Sequence, residues 1–108
     1  MSKKNRGSVR IVAGLWRGRQ VSFPGNDSIR PTPDRVRETL FNWLREDIAG
    51  AMVLDLYSGT GILGIEAISR GASHVKFVDN NKNSIINIEA HLQKFGAAEQ
   101  ASFLCQSA

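Results

Sequence analysis

Apolar positions near the start of the chain recur at every second residue. Val9 and Ile11 alternate with polar neighbours, Gly14 and Gly18 interrupt, and Val21 and Phe23 resume the alternation. That period of two predicts a short hairpin across residues 9–23. Residues 24–33 then read as a loop, because Pro24, Pro31 and Pro33 remove ladder donors and disfavour helix just before them. Thr32 stands where an N-cap belongs, Pro33 at the first helical position and Asp34 in the first turn, where its charge suits the helix dipole. In the helix that follows, Val36, Leu40, Leu44 and Ile48, with Phe41 beside them, are expected to form the buried stripe. Arg35, Glu38, Asn42 and Arg45 take the other side, Trp43 packs at the stripe's margin, and Gly50 closes the helix.

From Met52 the pattern becomes strand, glycine turn, helix, strand, helix, strand. Strands are expected over 52–57, 75–79 and 101–105, with Cys105 buried in the last. The helix over 62–70 is almost wholly apolar and ends at Gly71; Glu66 and Arg70 sit four apart in it and predict a helical ion pair of a few tenths of a kcal/mol. The helix over 82–95 carries Ile85, Ile88, Leu92 and Phe95 on one face and stops at Gly96. This alternation is that of an α/β protein with a parallel sheet, and right-handed crossovers place its three strands in one half of a doubly wound sheet. The chain divides into a basic N-terminal arm with a hairpin (1–33) and the N-terminal half of a Rossmann-like domain (34–108), with the C-terminal half absent.

Composition narrows the function classes. With 42% hydrophobic and 22% charged residues in 108, the chain is an ordinary globular one. No apolar run approaches the roughly 18 residues of a membrane span, so no membrane partner and a cytoplasmic setting are expected. Cys105, His74 and His91 offer no metal-ligand spacing, so no metal is expected; the two histidines read as loop and helix-surface residues. The formal charge is +4, but residues 1–37 hold nine Lys and Arg against Asp27 and Asp34, so the remainder is net negative. A basic arm on such a body suits approach to a polyanion. Trp16, beside Arg17 and Arg19, either stacks on a nucleic-acid base or plugs the hairpin onto the core.

The segment from Asp55 to Gly64 contains GxGxxG (Gly59, Gly61, Gly64) after a strand and at the start of a helix, with Asp79 twenty residues past Gly59. That context predicts a nucleotide-type cofactor. Asp55 separates two readings: its carboxylate would repel the pyrophosphate of a dinucleotide but attract the ammonium and sulfonium of S-adenosylmethionine. A nicotinamide-dependent oxidoreductase is disfavoured on that ground.

DLYSGTGILGIEAISRGA resembles motif I of class I S-adenosylmethionine-dependent methyltransferases. The longer pattern RIVAGLWRGR, RPTPDRVRETLFNWL, LDLYSGTGILGIEAISRGA, FVDNN is similar to the bacterial ribosomal RNA guanine-N2 methyltransferases that act on small-subunit RNA. The resemblance implies S-adenosyl-L-methionine as cofactor, held at its methionine end by Asp55, Gly59 and Gly61. Tyr57, Ser58 and Thr60 lie in the same loop, Tyr57 and Ser58 contributing through their backbone. Asp79 would take the ribose and Asn80 the adenine edge, with Ser107 where the family places a polar residue near adenine. It also implies ribosomal RNA or the small ribosomal subunit as partner, met by Arg10, Arg17, Arg19, Arg30, Arg35 and Arg37. Such enzymes carry an Asn/Asp-Pro-Pro-aromatic motif that accepts the target amine's hydrogen bonds and stacks on the base; none of the three prolines here lies in one, so no catalytic residue is expected in this chain. A binding fragment that transfers nothing, and a DNA amino-methyltransferase, are the other readings.

Overall fold

The computed structural model describes residues 6–24 and 32–106. Strands β1 (Arg6–Arg10) and β2 (Gln20–Pro24) form the expected antiparallel hairpin, with Val9 opposite Val21. Helix α1 (Asp34–Trp43) is followed at Leu44 by a break and the short α2 (Arg45–Ile48). Then come β3 (Met52–Leu56), α3 (Ile62–Ser69), β4 (His74–Asp79), α4 (Lys82–Lys94) and β5 (Ala101–Cys105). The last three strands make a parallel sheet in the order β3-β4-β5, with Asp55 level with Phe77 and Phe77 level with Phe103. This is a partial Rossmann-like α/β fold.

Helix α3 packs over β3 and β4, and α4 over β4 and β5. The core is built from Ile65, Val75, Phe77, Ile88 and Leu92, all at 0% exposure. Ile11 and Val21 of the hairpin region are equally buried and belong to the same cluster. Trp16 joins them, its ring 4.8 Å from that of Phe95, so it plugs the hairpin onto the core and offers no face for stacking on a base.

Helix α1 departs from expectation in its start and its inner face. It begins at Asp34 with Pro33 as a cap residue that makes no side-chain cap bond. Arg37, Phe41 and Ile48 are buried, while Val36 and Trp43 are 52% and 78% exposed. The reason lies beneath the helix, where the fully buried Glu66 of α3 receives the Arg37 guanidinium. Three further expectations fail. Cys105 is exposed rather than buried. His74 lies within β4, its Nε2 3.1 Å from the Ser102 hydroxyl. His91 is buried against β2, its Nε2 2.9 Å from the Ser22 carbonyl oxygen.

Candidate cofactor site and nucleic-acid face

The glycine loop leaves the C-terminal end of β3 and is tied to β4 by Ser58. Its hydroxyl lies 2.7 Å from the Asp55 carbonyl oxygen and accepts from the Val78 N–H at 3.1 Å, and its own N–H donates to the Val78 carbonyl at 3.0 Å. The side chain of Ser58, and not its backbone alone, therefore shapes the loop. Tyr57 is exposed and left-handed at φ +56°, a conformation that costs a non-glycine residue of order 1–3 kcal/mol. The loop then turns through Gly59 and Gly61 into α3, and the Thr60 hydroxyl accepts from the Ile62 N–H at 3.3 Å.

Two of the glycines answer to packing. Gly61 has φ +81°, and a Cβ on it would come within 2.6 Å of Ile88 on α4. A Cβ on Gly64 would lie 2.3 Å from the Phe77 ring, so its absence lets α3 sit close on the sheet. That closeness matters for Asp55. The buried Asp55 carboxylate accepts the Gly64 N–H at 3.2 Å and so occupies the N-terminal turn of α3. Burial raises its pKa from 3.8 to about 6; the Gly64 hydrogen bond opposes that rise and the charge of Asp79 adds to it.

Asp79 ends β4 and faces the loop from the other side. One carboxylate oxygen accepts the Gly59 N–H at 2.8 Å and the other the Asn81 N–H at 2.8 Å. Each oxygen keeps a further lone pair, so the carboxylate can still accept from a diol. Asn80 is exposed beside it, and the Gln106 N–H donates to the Asp79 carbonyl at 2.9 Å. Ser107 lies outside the described residues. The structure thus gathers Asp55, the 57–61 loop, Asp79 and Asn80 outside the carboxyl ends of adjacent parallel strands, the usual ligand crevice of open α/β sheets.

The arginines divide. Arg10, Arg17, Arg19 and Arg35 are exposed, with Arg19 over the Phe95 ring at 5.0 Å from its centroid. Arg30 lies outside the described residues. Arg37 is a correction: at 0% exposure it cannot meet a phosphate. Its Nη1 donates to Glu66 at 2.9 Å and to the Arg10 carbonyl at 2.8 Å, its Nε to the Thr32 carbonyl at 3.0 Å, and its Nη2 to Asp34. Glu66, expected to make one modest pair with Arg70, does make it at 2.9 Å but also accepts the N–H groups of Val12 and Ala13 at 3.0 Å. An acid in an almost wholly apolar helix is the sequence signal of that burial. Among the described residues no cluster could hold a metal ion, and no helix is long and apolar enough to cross a membrane.

Comparison with known proteins gives a consistent result. The family described as Conserved hypothetical protein 95 matches residues 9–108. Ribosomal RNA small subunit methyltransferase D of Haemophilus influenzae is 45% identical over 103 residues, 94% of this chain and 53% of that protein. The Escherichia coli protein of the same name is 46% identical over 85 residues, 76% of this chain and 43% of that protein. The solved structure of Escherichia coli yhhF superposes with a TM-score of 0.83 at 38% identity, covering 94% of this chain and 54% of that one. The chain spans about half the length of the curated relatives it matches. It belongs to the Conserved hypothetical protein 95 family, the family of the ribosomal RNA small subunit methyltransferases D.

Proposed function

We propose that the chain binds S-adenosyl-L-methionine at the glycine loop and RNA along its hairpin, as part of a methyltransferase that modifies the exocyclic N2 of a guanine in small-subunit ribosomal RNA in the cytoplasm. The observation that carries the cofactor choice is the Asp55 carboxylate on the Gly64 N–H. A dinucleotide's phosphate would compete with it for the N-terminus of α3, whereas an ammonium group is attracted to it. When bound, the cofactor supplies an electrophilic methyl group on a sulfonium. In this reading Asp55 orients the methionine end, Asp79 accepts from the ribose hydroxyls, and Asn80 and Ser107 border the adenine. The 1–33 arm serves RNA, and residues 34–108 are the cofactor half of the fold. No residue of this chain is assigned to accept the target amine's hydrogen bonds, so the 108 residues alone bind and do not transfer.

Calorimetry tests the cofactor. S-adenosylhomocysteine is expected to bind and NAD not to, and tight NAD binding would overturn the reading. Asp79→Ala removes charge-assisted bonds worth roughly 1.5–3 kcal/mol, so affinity should fall at least tenfold in a variant whose circular dichroism is unchanged.

The RNA face predicts a salt effect. Log affinity for RNA should fall linearly with log salt, and neutralising Arg17 or Arg19 should each reduce the slope by roughly 0.7–0.9. An unaltered slope in the Arg17→Gln/Arg19→Gln double variant would assign these residues to solubility alone.

A further inference from the structure

An open cleft of about 400 Å³ lies between the hairpin and the first two turns of α1, a volume in the range of small-molecule sites. Arg10 and Arg17 line it from the hairpin side, and Asp34 and Glu38, four apart on α1, from the other. No residue of the glycine loop, and not Asp79, takes part in it. The first pair of opposite charges is already matched, Arg10 to Asp34 at 3.5 Å. The Arg17 guanidinium and the Glu38 carboxylate, both of exposed residues, have no ion-pair or side-chain hydrogen-bond partner among the described residues.

The two walls are fixed to one another by the buried ion cluster. Arg37 holds Asp34 of the helix wall and the Arg10 carbonyl of the hairpin wall, and Glu66 takes Arg37 together with the Val12 N–H. The elements that form the cleft are therefore held in place, and a ligand would have to order only the Arg17 and Glu38 side chains on binding. Its charge is balanced, which decides what fits. A phosphate would meet two carboxylates and a cation would meet two arginines. A neutral planar group with two acceptors on one edge and two donors on another meets neither conflict.

Among the bases only guanine has that pattern: O6 and N7 match an arginine fork, and N1–H with the N2 amine matches a carboxylate. Adenine offers its amine flanked by acceptors and leaves a carboxylate half satisfied. We infer that this cleft holds an unpaired guanine of the RNA, with Arg17 on O6/N7 and Glu38 on N1–H and N2. The inference rests on the RNA reading above and adds a base preference to it.

Fluorescence anisotropy with labelled single-stranded hexanucleotides at fixed salt tests it: one guanine among adenines, one inosine among adenines, and adenine alone. Guanine is expected to bind about tenfold tighter than adenine, with inosine, which lacks the N2 amine, in between. Glu38→Gln should bring guanine and inosine together and leave both ahead of adenine through Arg17, while Glu46→Gln, on α2 outside the cleft, preserves the original order. Equal affinity of the parent chain for guanine and adenine oligonucleotides, with the salt slope intact, would overturn the guanine site and leave the RNA reading standing. Absence of binding to any of the three would overturn both.

Discussion

Replacing Glu66 with alanine is expected to cost about 3–5 kcal/mol of folding free energy, a large share of what a domain of this size has. Glu66 and Arg37 are both 0% exposed and 2.9 Å apart. Removing the carboxylate leaves the Arg37 guanidinium buried with only Asp34 and two backbone carbonyls for company. It also orphans the N–H groups of Val12 and Ala13, through which the hairpin loop is fastened to α3. Arg37→Met should cost a comparable amount, since it strands the acid. The Arg37→Met/Glu66→Leu double variant should be more stable than either single one, because a buried ion pair replaced by apolar groups of similar volume is close to neutral. Urea unfolding followed by fluorescence of the buried Trp16, with exposed Trp43 changed to Phe, measures all three. A Glu66→Ala loss below about 1 kcal/mol would mean that the cluster is solvated and the cleft walls are not locked.

The same cluster explains where sequence reading succeeded and where it failed. Strand–turn–helix order from Met52 onward was legible because the period changes from two to 3.6 at glycine punctuation, and because Gly59, Gly61 and Gly64 keep the spacing of a ligand loop. The inner face of α1 was not. Val36, Leu40, Leu44 and Ile48 form a sound helical stripe, yet an arginine one position along from Val36 displaces it, because the energy of matching a buried Glu66 exceeds that of burying one valine. In a sequence an arginine that will be buried looks like one that will be solvated; only its partner, 29 residues away in a mostly apolar helix, marks it. Asp79 shows a different limit. Its spacing marks it for a ligand, yet its two oxygens also take the Gly59 and Asn81 N–H groups and still have lone pairs left over. His91 and Cys105 were misplaced because the docking of β2 on α4 and the exposure of the β5 end depend on tertiary contacts that periodicity does not record.

Asp55 is expected to give the chain a pH dependence opposite to ordinary acid denaturation. Its folded-state pKa is raised to about 6 from 3.8. Between those values the folded state carries a proton that the unfolded chain lacks, so this group's contribution to stability grows as pH falls from above 6 toward 4. The difference is about 3 kcal/mol, from roughly 1.4 kcal/mol per pKa unit. Put the other way, ionised Asp55 is a destabilising element at neutral pH, kept in place against burial by one hydrogen bond from Gly64. A cationic ligand reverses the balance. An ammonium near the carboxylate favours its ionised form, so S-adenosylhomocysteine binding should release protons near pH 6 and weaken as pH drops further, by up to about tenfold per unit. Asp55→Asn keeps an oxygen for the Gly64 N–H but cannot titrate. The variant should be more stable than the parent at pH 7.5, no more stable at pH 4, and indifferent to pH in its residual cofactor affinity. Urea unfolding of both proteins from pH 4 to 8 yields the difference curve that isolates this one group from the other carboxylates. A parent chain that gains stability over the variant as pH rises would refute the assignment of Asp55 as a buried carboxylate waiting for a cation.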